Sequence, residues 1–284
     1  MLYFIENAHL RAAINAQGAE LSSLYNSDMQ TELLWQGDPA IWNGHSPLLF
    51  PIVGKLKDDQ YKWKETTHTM PKHGFAKESL FTLSAQSADT LTLSLAASAE
   101  TFSGYPFAFA LDICFTLVES RLEVLHTIQN LSNTETLPFS IGAHPAFNCE
   151  IGDSLIFEHT ETPLAYRLDE NFLLSQSPSA VPLKEKVLLI TKDLFEKDAL
   201  IFQNLRSRSV TLHRQKTGDT LRVDWFSAPV LGIWAKPGAP YVCIEPWYGI
   251  DDHDSVTGQL AKKPLIILLP PLQHFCFPVH ITAV

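Results

Sequence analysis

Apolar and polar residues alternate with a period of two in several stretches of this chain. Leu91-Thr-Leu-Ser-Leu95 and Leu221-Arg-Val-Asp-Trp225 do so without a break, and Leu122-Glu-Val-Leu-His-Thr-Ile128 does so less strictly. Successive side chains of a strand point to opposite faces, so such segments cover a core on one side only. Turn-forming clusters separate the runs, among them Asn26-Ser27-Asp28, Asp58-Asp59, Asn130-Leu131-Ser132-Asn133 and Thr217-Gly218-Asp219. Helical signals are sparse. Ala40-Ile41-Trp42 and Leu194-Phe195 suit single helical turns, but no window keeps apolar residues at helical spacing for four turns. Many strands and little helix predict an all-β fold with two large antiparallel sheets packed face to face. No linker, low-complexity tract or short repeat interrupts the pattern, so one β-sandwich domain over residues 1–284 is expected. The 18 prolines are spread through the chain and are expected in loops and at strand ends.

Composition narrows the function. Of the 284 residues, 45% are apolar and 18% charged, enough to bury a substantial core. The formal net charge of -10 repels nucleic-acid phosphate and anionic membrane surfaces, so neither is an expected partner. A small anionic substrate stays possible, because a few local cations outweigh a global field. Cys114, Cys149, Cys243 and Cys276 form no CxxC pair, and each sits among apolar neighbours, which predicts buried free thiols. The start of the chain lacks the basic lead and apolar length of a signal peptide, and the run from Pro264 to Pro271 is too short to span a bilayer. The cytoplasm is the expected compartment.

Three segments break the alternation, each joining a titratable residue to glycine or proline and aromatics. They are Met70-Pro-Lys-His73-Gly-Phe-Ala-Lys77, Phe139-Ser-Ile-Gly-Ala-His144-Pro-Ala-Phe-Asn148, and Tyr241-Val-Cys-Ile-Glu245-Pro-Trp-Tyr-Gly-Ile-Asp251-Asp252. His144 ends an apolar run before a proline, where its ring either faces a cleft and exchanges protons near neutrality or satisfies buried carbonyls. Glu245 stands at the end of a core-like strand. A buried carboxylate there must be hydrogen-bonded or tuned as a base, and a solvated loop carboxylate is the other reading. Trp247 and Tyr248 beside it suit a sugar, whose apolar C–H face stacks on an aromatic ring. His73 precedes Gly74 and has Lys72 and Lys77 nearby, which fits a binding histidine or a surface one. One histidine and one carboxylate, with no serine or cysteine elbow, suit proton shuttling better than nucleophilic catalysis. GxSxG, GxxxxGK[ST] and GxGxxG are absent, as are HExxH and paired Cys/His spacings, so no nucleotide cofactor or zinc site is expected. The run Asp251-Asp252-His253-Asp254 reads as a solvated turn rather than a metal site.

At these segments the chain resembles the aldose 1-epimerase (galactose mutarotase-like) family and, within it, the LacX-like branch. The likeness runs through Leu34-Trp-Gln-Gly-Asp-Pro-Ala-Ile-Trp42 and Ser46-Pro-Leu-Leu-Phe-Pro-Ile-Val-Gly54, through the three segments above, to Pro270-Pro271-Leu272. It implies a β-supersandwich that interconverts the α- and β-anomers of an aldose or aldose phosphate without a cofactor. By the same resemblance His144 is the acid that protonates the ring oxygen, and Glu245 the base that takes the proton from the C1 hydroxyl. His73 and, in Lys197-Asp-Ala-Leu, Asp198 bind the sugar. Lys55 takes the place of an arginine common in the family and keeps its charge without the bidentate fork. Lys55 and the changed segment around His144 also motivate a non-catalytic carbohydrate-binding or regulatory protein on the same fold. A different sugar isomerase or lyase would need one more proton-abstracting or metal-binding group. Neither the particular sugar nor an oligomeric state is written in the sequence.

Overall fold

A computed structural model of the chain describes residues 1–283, and it is nearly all strand. The larger sheet has ten antiparallel strands, built around a hairpin of Phe109–Val118 and Arg121–Asn130. The strand His274–Ala283 pairs along the second arm, and Thr220–Asp224 follows it outward. In Phe109–Val118 every second residue is buried (Phe109, Leu111, Ile113, Phe115 and Leu117), as period-two patterning requires. The predicted strands at Leu91, Leu122 and Leu221 are all in this sheet. The imperfect alternation of the second also has a cause. Leu125 faces outward, while His126 takes the inward position, hydrogen-bonded through Nδ1 with Phe277 O at 2.8 Å and stacked on the Phe277 ring.

The second sheet runs in the order Leu200–Gln203, Val230–Trp234, Tyr241–Tyr248, Ile141–Ala143, Leu48–Leu49, with Ala146–Asn148 also paired to Tyr241–Tyr248. Its inner face meets the ten-stranded sheet through aromatic contacts. Tyr248 lies 5.0 Å from Phe275 and 5.4 Å from Phe277, Phe157 lies 5.7 Å from Phe202, and Phe50 lies 5.2 Å from Phe109, between ring centroids. A four-stranded sheet of Leu2–Glu6, Leu10–Asn15, Glu20–Asn26 and Thr31–Glu32 stands beside these two. No helix of the described residues is long and apolar enough to cross a membrane.

The single turns expected at 40–42 and 194–195 are there, with Ile41 and Trp42 both donating to Asp38 O. Other expectations need adjusting. The α-helix, Ala99–Gly104, was not anticipated, because six residues carry no period. It is marked instead by a capping box between Ser98 and Thr101. Pro246 and Pro278 stand inside strands rather than at their ends. Nor are all four thiols buried. Cys149 and Cys243 are, Cys114 is intermediate, and Cys276 is exposed because it falls on the outward phase of its strand. All four are free. In native protein, a thiol-specific colorimetric reagent is therefore expected to modify Cys276 first, and Cys276→Ser to remove that fast phase. A fast phase that survives the substitution would contradict the placement.

Candidate active site

The two residues singled out for proton transfer are neighbours across one rung of the second sheet. Gly142 is opposite Trp247 and Ala146 is opposite Cys243, so the same register on both sides of the break places His144 opposite Glu245. The Ile244 amide donates to Pro145 O at 3.1 Å, which makes the flanking rungs the hydrogen-bonded ones. The His144–Glu245 rung is then of the non-hydrogen-bonded kind, where opposing side chains come closest. Two prolines, Pro145 and Pro246, occupy the flanking rungs and remove an amide donor from each. This explains a proline inside a central strand. The outcome is a contact of 3.2 Å between His144 Nε2 and Glu245 Oε2, with side chains 10% and 2% exposed.

Around this pair lies a cleft of about 500 Å³, within the usual range for small-molecule sites. Parity along Tyr241–Tyr248 sends Cys243, Glu245 and Trp247 to the cleft face, and Ile244, Pro246 and Tyr248 into the sandwich. Trp247 lines the cleft, whereas Tyr248 packs on Phe275 and Phe277 and shares a hydrogen bond with Ser227 Oγ. Trp247 fits because its neighbours lack side chains. A Cβ on Gly142 or on Gly232 would stand 2.6 or 2.7 Å from the indole. His144 is walled by Trp42 and Trp234, whose rings lie 5.4 and 5.9 Å away, and Trp42 stacks in turn on Tyr241.

His73 and Asp198 open onto the same cleft. The Gly54 amide donates to His73 Nδ1 at 3.0 Å, which makes that nitrogen the acceptor and leaves Nε2 to carry the proton. Burial, and then the Lys72 charge, hold His73 well below the usual histidine pKa of 6.5, so it stays a neutral donor. Its ring stands edge-on to His144 at 5.9 Å. Asp198 sits in a left-handed turn, with its carboxylate accepting the Ala199 amide and its carbonyl accepting from Arg167 Nη1. Lys55 does not line the cleft. Its ammonium lies 3.9 Å from Asp59, and its contribution is a backbone amide that donates to Asp251 Oδ1 at 2.7 Å. The cations that do line the cleft are Lys72 and Lys77.

Burial dominates the electrostatics. It pulls the His144 pKa down and pushes that of Glu245 well up, with Lys72 partly countering the latter and Asp251 and Asp198 adding to it. Both shifts favour the uncharged forms, a neutral imidazole and a protonated carboxyl. The Trp247 indole N–H is close enough to draw Glu245 down slightly, though it completes no hydrogen bond. Glu20, another cleft residue, goes the opposite way. Its burial is outweighed by hydrogen bonds from His45 and Ser46, so it stays ionised. His144, Cys243 and Glu245 also bring N, S and O donors within 4.8 Å of one another, a set of types that suits zinc. Burial pushes the Cys243 thiol well up, so it stays protonated.

Only the far end of the acidic run after Glu245 is a solvated turn, at the exposed Asp254. Asp251 and Asp252 are buried, and Asp251 lines the cleft. Gly54, at φ +73°, lets the backbone pass against Asp251, since a Cβ there would stand 2.2 Å from the carboxyl carbon. Asp252 pairs with Lys263 Nζ at 2.7 Å, both nearly inaccessible, and accepts the Lys57 amide. The bridge fastens the loop that holds His73 in register. Asp252→Ala is expected to cost about 3–5 kcal/mol in urea unfolding, because it strands a buried ammonium. Replacing both partners by Leu and Met should restore most of it. A loss below about 0.5 kcal/mol in the single variant would show that the bridge carries no weight.

The chain as a whole is similar to known proteins. The family model described as aldose 1-epimerase matches residues 1–255. The plasmid-encoded Protein LacX of Lactococcus lactis subsp. lactis is 33% identical over 283 residues, covering 94% of each chain, and the chromosomal form is 32% identical. A galactose mutarotase related enzyme from Lactobacillus acidophilus superposes with a TM-score of 0.94 at 33% identity, over 100% of this chain and 97% of that one. A galactose mutarotase-like protein from Lactobacillus casei does so with a TM-score of 0.93 at 28% identity, over the whole of both chains.

Proposed function

Because the chain belongs to the aldose 1-epimerase family, we propose that it interconverts the anomers of a free aldose, with His144 and Glu245 as the acid–base pair. The observation that carries this reading is the single rung that sets His144 Nε2 3.2 Å from Glu245 Oε2 at the floor of a tryptophan-lined cleft. The reaction needs one proton removed from the C1 hydroxyl and one given to the ring oxygen. Two groups a hydrogen bond apart can serve both oxygens of the same anomeric carbon.

Proton bookkeeping gives the cycle a direction. With the cyclic sugar bound, the competent form is the ion pair, imidazolium and carboxylate. Glu245 takes the proton from O1, His144 gives its proton to O5, the C1–O5 bond breaks and C1=O1 forms. The pair is then left neutral, which is the form that burial favours. The dry site thus offsets part of the unfavourable conversion of a cyclic sugar to the open aldehyde. Rotation about C1–C2 and reversal of the two transfers give the other anomer. His73, through its Nε2 proton, and Asp198 are placed to hold sugar hydroxyls, and Trp247 to pack against the ring. Mutarotation proceeds slowly in water, so an acid and a base contributing about a hundredfold or more each suffice.

Two measurements test this reading. Saturation-transfer NMR on a panel of aldoses and aldose 6-phosphates should show accelerated anomer exchange that His144→Ala and Glu245→Gln abolish. Exchange undiminished in both variants would sink the assignment. The plateau should cover neutrality, with the acid limb below the ordinary histidine value, since burial moves His144 down.

Stability supplies the second measurement. Glu245 binds its proton more tightly folded than unfolded, so its contribution to stability is full below the ordinary carboxylate value of 4.5 and is lost as pH rises toward its folded value. Glu245→Gln has no proton to lose. Its stability relative to the parent should rise as pH climbs above about 4.5. A margin that is flat or shrinks with pH would mean that the carboxyl is not held protonated.

A further inference from the structure

The hairpin from Arg167 to Ser175 adds Leu168 and Phe172 to the cleft lining. Its base is closed by a bridge between Leu168 and Leu174, and the Leu174 amide donates to Asp252 O, which ties it to the buried aspartate–lysine brace. Its tip is equally determined. The Asp169 carboxylate accepts the amides of Asn171 and Leu173, and the Phe172 amide donates to Asp169 O. Phe172 at that tip is 48% exposed and has φ +60°. Either feature is unfavourable for a phenylalanine, and the turn itself would be better served by glycine or asparagine. Nothing in the core calls for an aromatic ring at this position.

Across the cleft mouth, Lys72 Nζ stands 5.3 Å from the centroid of the Phe172 ring, within cation–π range. Lys72 forms no ion pair among the described residues, although carboxylates of Glu20, Asp198 and Asp251 line the same cleft. Its position adjoining His73 brings the ring over the side of the cleft where the binding histidine lies. An exposed aromatic ring, held in a strained conformation by a rigid turn and steadied by a cation, is a surface awaiting a partner with an apolar face. A pyranose offers one, and the cleft volume of about 500 Å³ suits a small ligand.

We propose that Phe172 is a specificity-determining contact that covers one face of a bound sugar and favours a single ring over a longer glycan, and that Lys72 positions it. The proposal rests on the sugar-cleft reading above. Binding can be followed without turnover through the fluorescence of Trp42, Trp234 and Trp247, with galactose and glucose as one-ring probes and lactose and maltose as two-ring probes. Phe172→Ala should weaken the one-ring sugars by about fivefold or more and the two-ring sugars less, so that the preference narrows. Phe172→Tyr should behave as the parent. Lys72→Gln should weaken the one-ring sugars in the parent and add nothing in Phe172→Ala, and Lys72→Arg should restore binding. Phe172→Asn, better suited to the turn, should melt no lower than the parent, separating a binding role from a structural one. Unchanged one-ring affinity and unchanged preference in Phe172→Ala would overturn the proposal. A parent that binds these sugars without accelerating their anomer exchange would defeat the enzymatic reading and leave this one standing. A parent that binds none of them overturns both.

Discussion

One rung of β-ladder governs this molecule: His144 opposite Glu245, on the cleft face of a sheet whose other face is sealed against a ten-stranded partner. Placing two titratable groups on a non-hydrogen-bonded rung brings them together without any loop having to find its conformation. It also removes both from water, so neither can hold a charge cheaply alone, and the uncharged form of each is favoured. Much of the surrounding sequence follows from that. Glycines at 142 and 232 leave a slot for Trp247 beside Glu245, and prolines at 145 and 246 occupy the flanking rungs. A substitution to bulky or branched residues at any of these positions acts first on the geometry of the pair.

In the reaction proposed above the rung supplies the proton transfer, but it cannot by itself hold a sugar. The loops do that, and each is fixed by an interaction with little tolerance. The segment carrying His73 is tied to the segment after Gly54 by the amide that donates to the His73 ring. That segment is locked to Asp251 and Asp252 by amides of Lys55 and Lys57, and Lys263 closes the arrangement from beneath. The cleft is thus braced by buried charges in a row. Such groups add little net stability over apolar substitutes of similar volume, but they admit fewer alternative arrangements. For a site that must hold two oxygens of one carbon within reach of one pair, restriction of alternatives is the more useful property.

How far the sequence foretold this depends on whether a feature is local. Period-two strands at Leu91, Leu122 and Leu221 were legible because alternation is written within the segment. His144, Glu245, His73 and Trp247 stood out because each sits beside glycine or proline in an otherwise regular run, and they meet in one cleft. Asp198 entered through resemblance and lies there too. Lys55 entered the same way but points to Asp59, because only its backbone is needed where it stands. The start of the acidic run, at Asp251 and Asp252, departs from the solvated-turn reading for a related reason. Its composition says solvated turn, and the residue that buries it, Lys263, lies eleven positions on. Glu20 carried no local mark, Trp42 was marked only as the end of a turn and of a family-like segment, and Trp234 carried none. They reach the cleft from a strand start, a turn after Asp38 and a strand end, which only the folded topology brings together.

The contrast between Glu20 and Glu245 shows how the same side chain is given two chemistries. Both are carboxylates in one cleft, and burial acts on both in the same direction. At Glu20 the His45 side chain, together with the backbone amides of His45 and Ser46, outweighs burial, so the group stays ionised and acts as a fixed acceptor. At Glu245 no backbone amide is offered, because the strand spends its amides on the ladder and Pro246 has none to give. Its polar neighbours are the His144 ring at 3.2 Å and the Trp247 indole, and burial keeps its pKa well up. The decisive variable is therefore neither residue type nor depth but the donors that face the carboxylate. A carboxylate at the start of a strand can be given a charge by donors from a neighbouring segment, as Glu20 is by His45 and Ser46. One in the middle of a ladder cannot, and that makes the middle of a strand a suitable place for a proton that has to move.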